Sequence, residues 1–116
     1  MLTDEIIAKV FNKNDDIIKL KNCAIFTDDP KKAELKIHEI YNKFNKEEIE
    51  TFKNGKNQKE LYLKNGWIYF WIKPNDERRC YRFDKAIIDK DVTFEQLYQI
   101  ILPRSYTANK NNIELF

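Results

Sequence analysis

The dipeptide Asn65-Gly66, set between two apolar runs, constrains this chain more than any other feature. Asn-Gly in that setting is the strongest short-range hairpin signal, because a two-residue type I′ turn requires positive φ at both central positions. The runs it joins end in a second turn cluster, Lys73-Pro74-Asn75-Asp76-Glu77, followed by a further apolar-aromatic run to Phe83. Leu61 to Phe83 therefore reads as three antiparallel strands joined by two turns. The stretch holds both tryptophans and three of the four arginines.

A two-residue loop pairs Lys64 with Trp67 and so sets Tyr62 against Tyr69, Leu61 against Phe70 and Glu60 against Trp71. A second loop over residues 74–77 sets Ile72 against Arg79 and Tyr69 against Arg82. Side chains alternate between the faces of a sheet. One face then collects Leu61, Leu63, Ile68, Phe70, Ile72, Tyr81 and Phe83, an ordinary core face. The other collects Tyr62, Trp67, Tyr69, Trp71 and Cys80 with Arg78, Arg82, Lys64 and Glu60. A loop one residue longer or shorter would carry the arginines to the core face and bury charge.

Helices flank this sheet. Thr3 is an N-cap with Asp4 and Glu5 in the first turn, and apolar spacing extends a helix over residues 4–12. Residues 17–26 are ambiguous between a helix and an irregular strand. Thr27-Asp28-Asp29-Pro30 starts the best helix in the chain, residues 30–46, with Ala33, Ile37, Ile40, Tyr41 and Phe44 on one stripe. Strands are expected at 48–53 and 59–64 around the Lys53–Asn57 turn cluster, with extension of the helix through Glu47 to Phe52 the alternative for the first, and again or as extended chain at 84–89. Thr93 and Gln96 form a capping box, Val92 can staple onto Leu97, and Phe94, Leu97, Tyr98 and Ile101 make the stripe of a helix that stops before Pro103. The fold class is α+β: a three- to four-stranded antiparallel meander packed with two or three short amphipathic helices. It forms one domain over residues 1–116, with 104–116 either a loose tail or a docked edge element.

Charge narrows the function classes. Basic and acidic side chains nearly cancel, 21 against 19, whereas proteins that grip duplex DNA nonspecifically carry a strong basic excess. Residues 59–90 are the basic part, by only three charges. Lys, Asn and Ile supply 44 of the 116 residues, a codon bias that points to a low-GC bacterium or its phage. Cys23 and Cys80 have no companions at metal-ligand spacing and are expected as free thiols in a reducing cytoplasm. The first residues lack the pattern of a signal peptide, and no window approaches a membrane span.

Catalytic constellations are hard to build. His38 is the one histidine, on the helix face away from Ile37 and Ile40, so no histidine pair or histidine-rich metal site can form. Gly55 and Gly66 are used in turns, which leaves no phosphate-cradling loop. The acidic pairs Asp28-Asp29, Glu47-Glu48 and Asp89/Asp91 have simpler roles as caps, helix ends or charged loops. No cofactor and no metal is expected, and a small nuclease-like activity is the least implausible enzymatic form.

The expectation is a non-enzymatic interaction protein, of an inhibitor or immunity-type accessory kind. It would dock on a protein partner, or on a second copy of itself, through Tyr62, Trp67, Tyr69, Trp71, Arg78 and Arg82. Tyr, Trp and Arg dominate interface hot spots, and arginine is scarce here (4 against 17 lysines) yet concentrated beside these rings. The alternative is that the same face binds single-stranded nucleic acid or a nucleotide, with rings stacking bases and arginines holding phosphates. Against both stands the structural reading, in which a helix covers the rings and Arg82 lies along one of them.

Overall fold

The computed structural model describes residues 1–11, 21–75, 82–105 and 110–116. Its centre is a strand the sequence left ambiguous. β1 (Asn22–Phe26) pairs in parallel with β4 (Ile68–Ile72) on one side and with β5 (Lys85–Ile88) on the other. Cys23, Ala24, Ile25 and Phe26 are all buried. A strand covered on both faces reads as a continuous apolar run, without the alternation that marks a half-exposed strand.

The sheet has six strands in the order β2-β3-β4-β1-β5-β6, with β2 (Ile49–Asn54), β3 (Lys59–Leu63) and β6 (Ile113–Leu115). β2, β3 and β4 form an antiparallel half, while β4, β1, β5 and β6 run parallel. The expected three- to four-stranded antiparallel meander is therefore corrected to a mixed six-stranded sheet. β4 has β3 and β1 as neighbours, so its second edge is not free for a hairpin with the residues after Pro74. Residues 76–81, including Arg78, Arg79, Cys80 and Tyr81, lie outside the described residues.

The Asn65-Gly66 turn is also corrected, by one residue. Leu63 N–H donates to the Trp67 carbonyl at 2.9 Å, and Gly66 N–H to the Leu63 carbonyl at 3.1 Å. The loop is thus Lys64-Asn65-Gly66, with only Gly66 at positive φ (99°), the pattern of a type I turn closed by a glycine bulge. Lys64 N–H is held by the Glu48 carbonyl at 2.9 Å. Pairing becomes Tyr62 with Ile68, Leu61 with Tyr69 and Glu60 with Phe70. Leu61 and Leu63 consequently share a face with Trp67, Tyr69 and Trp71, and Tyr62 moves to the face of Ile68 and Phe70.

The physical reason is that helices cover both faces. α2 (Pro30–Tyr41) packs Ile37 and Ile40 onto Cys23, Ile25, Leu61 and Ile87. On the other face α1 (Asp4–Val10) and α3 (Phe94–Gln96) with its continuation pack Ile7, Leu97 and Ile101 onto Phe26, Phe70 and Ile88. Sorting residues by polarity, as for a sheet with one wet face, assigns the wrong partners when neither face is wet. No helix among the described residues is long and apolar enough to cross a membrane.

Local signals largely act as written. Thr3 accepts from Ile6 N–H at 3.3 Å, and Asp29 caps α2 by accepting from Lys31 N–H at 2.9 Å with Pro30 next. α2 ends at Tyr41 rather than 46, because Asn45 and Glu48 form a capping box that starts a 3₁₀ turn over Lys46–Glu48. The Thr93–Gln96 capping box is present, and Val92 and Leu97 join one core. Beyond Gln96 the helix widens into a π-turn, Leu97–Ile101, in which Leu102 N–H reaches the Leu97 carbonyl. The C-terminal residues dock as an edge: Phe116 N–H donates to the Ile88 carbonyl and Lys90 N–H to the Phe116 carbonyl.

Candidate functional site

Because β4, β1 and β5 are parallel neighbours, their carboxyl ends come out side by side, and α2 and α3 begin a few residues beyond two of them. In open sheets with parallel strands the space outside the carboxyl ends is where ligands bind. Here it is occupied by a connected polar network. Thr27, the first residue past β1, donates its hydroxyl to Asp89 Oδ2 at 2.7 Å. Asp89, the first residue past β5, also accepts from Lys32 Nζ at 3.2 Å and from Asp91 N–H at 3.0 Å. Lys32 pairs in turn with Asp91 at 2.7 Å.

Electrostatics follow from this geometry. Burial works to raise the Asp89 carboxyl, and it is outweighed by the bonds from Asp91 N–H, the Thr27 hydroxyl and Lys32, so the group sits below the usual carboxylate range. The bonds to Asp91 and Asp89 raise Lys32 above its ordinary value. Asp89 is thus an ionised clasp between β1, β5 and α2. At the amino end of the same strands Asp84 does related work, accepting from Lys21 and Asn22 N–H at 3.1 and 3.0 Å.

Trp71 extends the network sideways. Its indole N–H donates to the Thr27 carbonyl at 2.8 Å, and its ring has Lys59 Nζ and Lys73 Nζ each 5.7 Å from the centroid. Lys59 is only 4% exposed, yet its ammonium is held by two neutral oxygens, Asn54 Oδ1 at 3.0 Å and Gly55 O at 2.7 Å. Across the same end, Gln96 Nε2 reaches Asp28 Oδ2 at 3.4 Å and ties α3 to the loop after β1. On α3 and its π-turn, Phe94 and Tyr98 stack at 6.1 Å and stay 54% and 57% exposed.

The residues singled out from sequence are distributed differently from the expected single face. Tyr62 lies on the α1 side and donates its hydroxyl to Glu60 Oε2 at 3.1 Å. Trp67 and Tyr69 lie on the α2 side, their rings 6.2 Å apart and half-buried. Burial, with Cys23 and Glu114 nearby, raises the Tyr69 phenol above its ordinary value. Trp71 shares their face but stands at its carboxyl end. Arg82 is exposed and precedes β5, at the amino end of the strands, about 16 Å of strand away from Trp71's level. Arg78 lies outside the described residues.

Other candidates resolve into structure. His38 is exposed and stacks on Tyr41 at 5.8 Å. Cys23 is buried, and burial pushes its thiol up to about 12, far from thiolate chemistry at neutral pH. Among the described residues no three His, Cys, Asp or Glu side chains stand close enough to share a metal ion. A surface cavity of about 340 Å³, lined by Phe44, Glu47, Glu48, Lys64 and Asn65, lies against the β3–β4 turn at the far end of the sheet from Trp71.

Sequence reasoning missed Lys59, Lys73, Thr27 and the Asp89–Lys32 clasp. The available signal was a pair of apolar runs, Cys23–Phe26 and Ala86–Ile88, each closed by a polar-acidic segment beginning Thr27-Asp28-Asp29 and Asp89-Lys90-Asp91. That punctuation marks the ends of buried parallel strands. No family model matches the chain, and no curated protein or solved structure is significantly similar to it.

Proposed function

We propose that this is a non-enzymatic interaction protein that docks on a protein partner through the carboxyl end of its parallel strands. The observation that carries the reading is the stacked Phe94–Tyr98 pair, each more than half exposed, on a helix whose Leu97 and Ile101 are fully buried. The buried pair anchors the helix and leaves two large rings for something else to cover. Trp71 with its two lysines lies at the same end, and aromatic rings ringed by mixed charge are the composition of an interface centre and its rim.

Mixed charge also favours protein over nucleic acid. Asp28, Asp29, Asp89 and Asp91 share this end with Lys32, Lys59 and Lys73, so a phosphate backbone laid across it meets four acids against three bases. An accessory role as an inhibitor or immunity-type protein, through one partner, fits the small size and near-neutral charge.

The test is a paired variant, Phe94→Ser with Tyr98→Ser, which leaves Leu97 and Ile101 in place. Both proteins should melt within a few degrees of each other. A partner of defined mass, cross-linked to the native protein and retained in 0.5 M salt, is expected to be lost from the variant. Binding of a single-stranded oligonucleotide that fades steeply with salt and ignores the substitution would overturn the reading.

A further inference from the structure

Lys59 and Lys73 place two ammonium groups on one indole ring, and among the described residues neither pairs with a carboxylate. Lys59 is the unusual member. A buried lysine is normally matched by an anion, whereas this one has only the Asn54 amide oxygen and the Gly55 carbonyl, both neutral. Lys73 is exposed, so the positive charge is reachable from solvent at the half-buried edge of Trp71. Register accounts for the cluster. Extending the β3–β4 pairing of Leu61 with Tyr69 places Lys59 across from Trp71, and Lys73 follows two positions along the chain on the same face.

We infer that Trp71, Lys59 and Lys73 form an acceptor for a carboxylate side chain, and that the partner presents an acidic peptide segment to it. The proposal rests on the docking reading above and specifies its chemistry. Two cations over one ring, neither bonded to a carboxylate among the described residues, are complementary to a negative group, and the ring supplies apolar surface for the methylenes that carry it. Lysines offer point charges that attract any anion, and a protein partner supplies that anion as a carboxylate.

The experiment uses the full chain carrying Trp67→Phe, in which Trp71 is the one remaining indole, and blocked tetraglutamate as the probe. Saturable change in Trp71 fluorescence is expected, absent with blocked tetraglutamine. Lys73→Met, an exposed substitution that leaves the fold intact, should weaken binding about five- to tenfold, and Lys59→Met, which keeps the buried stem, at least as much. Equal response to tetraglutamine, or no saturation at millimolar peptide, overturns the inference. So does tighter binding of a nucleoside diphosphate, which would make this a nucleotide site. Binding that emerges only after Asp76→Asn with Glu77→Gln also overturns it, since the chain's own acids would then be the occupants. Partner capture that survives Lys59→Met and Lys73→Met but is lost with Phe94→Ser/Tyr98→Ser sinks this inference alone; capture indifferent to the ring pair sinks the docking reading.

Discussion

The two faces of the sheet are built from different stock. Under α1 and α3 the core is aliphatic and phenylalanine, with Phe11, Phe26 and Phe83 almost fully buried and Phe26 meeting Phe83 edge-on at 5.3 Å. Under α2 the periphery is Tyr41, Phe44, Phe52, Trp67, Tyr69 and Phe116, all only partly buried. The difference is one of coverage. A sheet of six strands is about 24 Å wide at roughly 4.8 Å per strand, while a helix with its side chains is about 10 Å across. The first face has two helices and the N-terminal residues to cover it, and the second has α2 alone.

Large flat side chains extend α2's reach in both directions. Tyr41 stacks on Phe52 at 4.2 Å toward the β2 edge, and Phe44 leads through Tyr69 to Trp67 along the middle. Toward β6, Lys36 lies over Phe116 at 5.3 Å. Aromatic rings with polar tips suit a border where one edge is packed and the other wet. An aromatic excess that resembles a binding face is, for Trp67 and Tyr69, the means by which one short helix covers a wide sheet. Trp71, at the carboxyl end, and the exposed Phe94–Tyr98 pair lie outside this border.

The strongest way to break the comparison is to exchange the faces. Replacing Asn65 by D-proline, which with Gly66 enforces a two-residue turn, pairs Lys64 with Trp67 and slips β4 by one position against β3. Trp67, Tyr69 and Trp71 would then turn toward α1, and Ile68, Phe70 and Ile72 toward α2, while β1 holds the original register on the other side. No single strand can satisfy both neighbours. The expected outcome is loss of cooperative unfolding and of dispersed amide resonances; a D-proline variant that melts like the parent would show that the two faces are interchangeable.

This also explains how far the sequence is legible. Helix starts at Thr3, Asp29 and Thr93 are short-range chemistry, written in adjacent side chains and recovered as such. The hairpin between β3 and β4 was visible, but its loop length depends on which faces are covered, and that is settled by α1 and α3, far away in the chain. The identity of β1 as the central strand was hidden for the same reason: its parallel partners lie more than forty residues away and leave no turn signal. The candidate site suffered most. Trp71 was found from its composition, whereas Lys59 reaches it through the corrected β3–β4 register, and Thr27 and Asp89 only through the parallel half of the sheet.

A second, smaller effect separates the clasp from the cores. Asp89→Asn removes the charge that holds Thr27 and Lys32, for an expected loss of about 2–3 kcal/mol at neutral pH. The pH dependence has a definite sign. A carboxyl held below its unfolded value near 3.9 contributes stability above that value and loses it as pH falls through the folded value. Denaturant midpoints of the native protein should therefore decline below about pH 4, and the variant's should be lower at pH 7 with a shallower acid limb. Parallel acid limbs for the two proteins would remove Asp89 from the account.

The smallest effect tests whether the aromatic border seals the α2 face. Cys23 lies level with Tyr69 in the β1–β4 ladder, beneath the half-buried ring, and has no exposed surface. With its thiol pushed up to about 12 by burial, both access and ionisation are denied to a reagent in the folded state. In a Cys80→Ser background at pH 8, a disulfide reagent should label Cys23 only as fast as the molecule opens, and at once in denaturant. Replacing Tyr69 by Ala should raise that labelling rate while leaving the thiol unreactive on mixing. Labelling within the mixing time in the parent would mean that the rings beside α2 leave the sheet open, and the contrast between the two faces would then be one of sealing as well as of composition.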